Sequence, residues 1–197
     1  MEPSEHRIQS LQEKPPITST FIGHVIGSSF GLVFVLINSA PLMPALRVGV
    51  CLLAVVVFLT VVGGFVATLR TRRGGVDDGA GGFTGRFWIV VVVEAVLLVG
   101  GLAVVRMIEP AAALGWIALV VGVHFFPVSR LWAPGRVQIM AIAIAMTTLG
   151  VVGLILAFAT HDADAVDVVS GVGSGVVLLG VAFVVALRTL TQQATTR

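Results

Sequence analysis

Charge is what this chain most lacks. Only 11% of its 197 residues are charged, 57% are hydrophobic, and the mean hydropathy is +1.06. Soluble domains carry about 25% charged residues. A soluble domain of this length leaves much of its surface in water and has no means of hiding so much apolar area in one core. That excludes a soluble globular enzyme, and the composition is the opposite of a disordered chain. Cysteine is nearly absent as well: Cys51 stands alone, so no intrachain disulfide framework exists. Lysine is reduced to Lys14, against eleven arginines. With the excess of Ala, Val and Gly, this is the usage of a GC-rich bacterial coding sequence. The basic residues are scattered between apolar stretches and form no patch of the kind nucleic acid requires. The partner that the composition implies is the lipid bilayer.

What is present is a series of long apolar runs. Crossing the hydrocarbon core takes about 20 apolar residues in a helix. Six stretches qualify, at about residues 21–40, 48–69, 87–105, 111–126, 139–160 and 166–187. Many are valine-rich, and valine favours strands in water. In lipid, however, the backbone must satisfy its own hydrogen bonds, so an isolated apolar run becomes helical. No segment alternates polar and apolar residues as a membrane barrel strand would. The expected fold is all-α, a polytopic bundle of six transmembrane helices over residues 21–188. A polar tail precedes it at 1–20 and a short tail follows at 189–197. The tail at 1–20 lacks the short positive leader of a cleaved signal peptide, so the first helix is expected to stay in the mature protein.

Arginine and lysine placement orients the bundle. With the N-terminus inside, the inner segments hold Arg7, Lys14, Arg70, Arg72, Arg73, Arg86, Arg130, Arg136, Arg188 and Arg197, while the outer segments hold Arg47 and Arg106. The positive-inside rule then puts both termini in the cytoplasm, as a multi-pass protein of the bacterial inner (cytoplasmic) membrane. Trp88 and Trp132 fall at the inner interface. The glycine-rich stretch Arg70–Arg86 reads as a flexible inner loop.

Ionisable side chains inside a bilayer are costly and turn toward the bundle interior or a wet cavity. Glu94 lies seven residues beyond Phe87, roughly 10 Å into the membrane at 1.5 Å per residue. His124 precedes Pro127 in the next, antiparallel helix, at a compatible depth, and His24 near the inner end of the first helix is able to join them. Two roles are open for this buried polar cluster. It is a proton relay or cation site, or a hydrogen bond that only fixes packing. Gly27 and Gly31 in the first helix, and Gly171 and Gly175 in the sixth, follow the Gly-x-x-x-Gly spacing that lets helix backbones approach. They serve packing within the chain or a homo-oligomer. Asn38 shares their face of the first helix. The cluster His161, Asp162, Asp164 and Asp167 reads as a solvated outer loop whose aspartates cap the sixth helix. Thr147 and Thr148 are expected to bond back to their own helix. Pro127 is expected to end or kink the fourth helix, the shortest of the six. No cofactor or resident metal is called for.

Enzymatic motifs fail one by one. Gly171-Val172-Gly173-Ser174-Gly175 lacks the Gly-x-Ser-Gly frame of a rhomboid-like protease, His-Glu-x-x-His is missing, and no lysine follows the glycine-rich loop as a P-loop needs. The chain is not expected to be an enzyme.

The run Gly122-Val123-His124-Phe125-Phe126-Pro127-Val128-Ser129-Arg130-Leu131 resembles a Gly-x-His-Phe-(Phe/Leu)-Pro-(Leu/Val)-(Ala/Ser)-Arg-Leu segment of small six-helix bacterial membrane proteins. Gly31–Ser39 is similar to a second piece of them. The resemblance implies the six-helix fold. It brings no activity with it, since none is attached to that family, but it draws attention to His124, Pro127 and Arg130. Small size, short loops and few buried charges point to a structural, accessory or sensory subunit, alone, as a homo-oligomer or with a partner membrane protein. The alternative is a transporter or channel for protons, cations or a small solute that uses Glu94 and His124.

Overall fold

The computed structural model describes residues 17–71, 85–131 and 135–195, and the regular structure among them is all helical. Most of the expected polar tail, the centre of the glycine-rich loop and Trp132 lie outside the described residues. Helix α1 is Ile17–Asn38 and α2 is Pro44–Thr71. Helix α3 runs as Gly85–Val96, a π-turn at Leu97–Gly101, and Leu102–Ile108. Helix α4 opens with a 3-10 turn at Pro110–Ala112 and continues as Ala113–Leu131. Helix α5 is Arg136–Thr160. Helix α6 runs as Ala163–Val166, a π-turn at Asp167–Val172, and Gly173–Thr195. Among the described residues five helices are long and apolar enough to cross a membrane, and α1 adds a shorter apolar stretch at Gly23–Asn38. The chain is a multi-pass membrane protein.

Helix ends depart from the apolar runs for a simple reason. Hydropathy marks the part of a helix that sits in hydrocarbon, whereas backbone hydrogen bonding carries on into polar sequence. Helix α1 therefore begins at Ile17, and α6 reaches Thr195, into the expected tail. Helix α4 is not cut short at Pro127. It continues to Leu131, because one proline removes a single bond, that to the Val123 carbonyl, and leaves the rest of the ladder intact.

The turns are chemically specified. Pro44 opens α2, where its missing N–H is not needed. Glu109 caps α4, its side chain accepting from the Ala111 N–H at 3.1 Å, with Pro110 at the first position. Asp162 caps α6 by accepting from the Ala165 N–H at 3.1 Å. His161 closes α5 in the left-handed region at φ 54°, and its N–H bonds the Ala157 carbonyl at 2.9 Å.

Two glycine-mediated contacts hold the bundle. Helices α4 and α5 form the most extensive pair. A Cβ at Gly150 would stand 2.3 Å from the Leu119 backbone nitrogen, and one at Gly122 would stand 2.4 Å from that of Thr147. Helices α1 and α6 meet at Gly31 and Gly175, where a Cβ on either would come within 2.9 Å or 2.6 Å of the other's carbonyl oxygen. Helix α2 packs on α1 and α6, burying Ala54 and Val61 against Leu179, Ala182 and Ala186. Helix α3 rests mainly on α4, and none of its described side chains is buried. Contacts between α5 and α6 join the two groups.

The α4–α5 seam sets a prediction. Gly150→Ala should lower the thermal midpoint in detergent, at a cost of about 1–3 kcal/mol for overpacking. Gly49→Ala, on an open face of α2, should leave it unchanged or slightly raised. Equal midpoints for the two variants would show that the seam is looser than described.

Candidate functional site

A cavity of about 590 Å³ separates the two groups of helices. Five helices line it: α1, α3, α4, α5 and α6. It starts at Gly135, just ahead of α5, and reaches Met146, roughly 16 Å deeper at 1.5 Å per residue. Its walls are almost wholly apolar. The polar side chains among the described lining residues are His24, Glu94, His124 and Gln138.

Glu94 and His124 meet in this wall. His124 Nδ1 lies 3.0 Å from Glu94 Oε2, with 12% and 19% of their side chains exposed. The antiparallel run of α3 and α4 puts both at one depth. The distance is that of an ion pair, but the oxygen sits off the line of an Nδ1–H bond, so the buried Nδ1 has no well-aligned hydrogen bond. Phe125 packs edge-on to the imidazole, with centroids 5.4 Å apart. His24 lines the same cavity from α1. All three polar residues singled out from the sequence thus border one space, and two of them touch.

The glycines divide. Gly31 and Gly175 form the α1–α6 contact, and Gly171 lets α6 approach Asn38, whose side chain donates to the Phe34 carbonyl at 2.8 Å. Gly27 lines the cavity, and a Cβ there would meet nothing within 4 Å. Its lack of a side chain leaves space where the spacing alone suggested a helix contact. Thr148 bonds back to the Ile144 carbonyl at 2.9 Å, whereas the Thr147 hydroxyl is buried without a partner.

Two features escaped the sequence reading. The π-turn of α3 sits in the cavity wall, with Leu98 among the lining residues. Within this turn the Leu97 carbonyl accepts from the Trp116 indole N–H at 3.0 Å. A Cβ at Gly101 would lie 2.3 Å from the Trp116 ring, so Gly101 makes the room. The available signal was the pair Gly100-Gly101 inside an apolar helix. Among the described residues the helix interruptions are π-turns in α3 and α6, whereas α4 runs through Pro127. Such turns are frequent at functional sites.

The second feature is a polar pair at the other end of the bundle. His161 Nδ1 contacts Glu109 Oε2, tying the α3–α4 turn to the α5–α6 turn. The sequence groups His161 with the nearby aspartates; its partner comes from a turn 52 residues away. Among the described residues no three His, Cys, Asp or Glu side chains converge as a metal site would require. No family model, curated protein or solved structure matches the chain.

The hydrogen bond from His161, and next the Ala111 N–H, hold the Glu109 carboxyl below its ordinary value of 4.5. A carboxyl depressed by folding stabilises the protein fully above its unfolded value and loses that effect as pH falls through the folded one. The thermal midpoints of wild type and Glu109→Gln should therefore differ at about pH 5.5 and converge as pH drops below 4.5. A gap that persists unchanged to pH 3 would show that the carboxylate charge is not what ties the turns.

Proposed function

We propose that this chain is a membrane-embedded carrier for a small, largely hydrophobic solute, held in the cavity with its polar group at Glu94 and His124. The arginine bias supports cytoplasmic termini, and in that orientation the cavity lies in the cytoplasmic half of the bundle. The observation that carries the reading is the cavity itself. It is a cleft partly open to its surroundings, with Phe30 and Ile26 on its rim 57% and 50% exposed, that five helices leave unfilled. A carboxylate and an imidazole serving only to fix two helices would sit in a packed seam such as that between α4 and α5. These two border an open space of about 590 Å³, within the range of about 300–1,000 Å³ typical of small-molecule sites. The π-turn in the same wall supports the reading, since it gives α3 a place to flex. The contrasting role, a structural or accessory subunit, predicts no solute.

The test fills the space. Val121 lines the cavity from α4 and is partly buried. Val121→Trp should keep the thermal midpoint at or above that of wild type, since the indole enters free volume. Equilibrium dialysis of purified protein against a library of drug-sized hydrophobic compounds should find compounds retained by wild type and released by Val121→Trp. Retention of no compound by wild type would favour the accessory role.

A further inference from the structure

We propose that the solute is a hydrophobic monocation, with Glu94 as its counter-charge and phenyl rings as its walls. The inference rests on the carrier reading of the cavity and narrows it to one chemical class.

The argument is one of complementarity. Among the described lining residues there is no lysine and no arginine. Glu94 is the one carboxylate among the described lining residues, and the other ionisable side chains there are the imidazoles of His24 and His124. An anion would meet that carboxylate with no lysine or arginine among the described lining residues to offset it. A small inorganic cation would find too few ligands, for no trio of metal-binding side chains converges among the described residues. The remaining walls are aliphatic and aromatic: Phe30 and Phe34 from α1, Phe87 from α3 and Phe125 from α4. The face of an aromatic ring attracts a cation, and more so away from water. A bulky organic cation therefore satisfies both halves of the site at once. Its charge meets Glu94, and its apolar body covers rings and aliphatic side chains that water would wet poorly. The side-chain amide of Gln138, also in the wall, supplies a further acceptor.

The test uses two ions of matched shape and opposite charge, tetraphenylphosphonium and tetraphenylborate, with neutral triphenylphosphine oxide as a third probe. Binding is measured by calorimetric titration of purified protein in nonionic detergent, with Val121→Trp as the reference for partition into micelles. Tetraphenylphosphonium should bind wild type, and tetraphenylborate should not. Glu94→Gln, with its thermal midpoint checked, should weaken the cation roughly 10- to 100-fold, the scale of losing one opposite charge about 6–10 Å away at the effective dielectric of a protein site. If that variant does not fold, the preference of wild type between the two ions decides. Borate or phosphine oxide bound as tightly as the phosphonium, and lost in Val121→Trp, overturns the cation class and leaves the cavity as a solute site. Failure of the phosphonium to bind while dialysis retains neutral compounds does the same. No binding of any probe, together with no retained library compound, overturns the carrier reading itself.

Discussion

Hydrocarbon offers no hydrogen bonds, and most of this structure follows from that constraint. Every backbone group in the membrane must find its partner within the protein, so valine-rich runs that would favour strands in water form helices here. The same constraint governs the exceptions. Where the α3 ladder slips into a π-turn, an indole arrives from α4 to take the Leu97 carbonyl. Hydroxyls at Ser28, Ser129 and Thr148 return their protons to carbonyls three or four residues earlier. Glu94 and His124, each a costly side chain at that depth, are set against one another.

Close helix contact and open space are two sides of one arrangement. Lipid is as apolar as leucine, so helices associate by packing, with small residues at the seams. Gly115, Gly122, Gly150 and Gly153 draw α4 and α5 together, and Gly31 and Gly175 do the same for α1 and α6. Each pair is tight, but α3 leans mainly on α4, with no buried side chain among those described. The space left between the pairs is the cavity, and the Glu94–His124 contact lies on its edge. Gly27 extends that space by having no side chain to fill it.

Six apolar runs of membrane length made the helices legible from composition alone, and antiparallel neighbours made the shared depth of Glu94 and His124 legible from residue counts. The Gly31–Gly175 contact was visible as spacing. The α4–α5 seam was less so, because its glycines in α4 recur every seven residues, at 115 and 122, rather than every four. The π-turn at Leu97–Gly101 was not legible, since it depends on an indole that only tertiary packing delivers. Nor was the cavity, whose volume belongs to five helices together and to no segment of sequence. Glu109 and His161 sit on different turns, and their pairing requires knowing that α4 begins at the height where α5 ends.

The central claim is that an open, apolar space meets a polar pair inside the membrane. Its most direct test is a crystal structure from lipidic mesophase under xenon pressure, because apolar cavities that stay free of ordered water take up xenon. The account predicts anomalous peaks between Phe34, Val121 and Ile142, with Glu94 and His124 still in contact at the cavity edge. Side chains filling that space, with Glu94 turned toward lipid and no xenon between the helices, would contradict it.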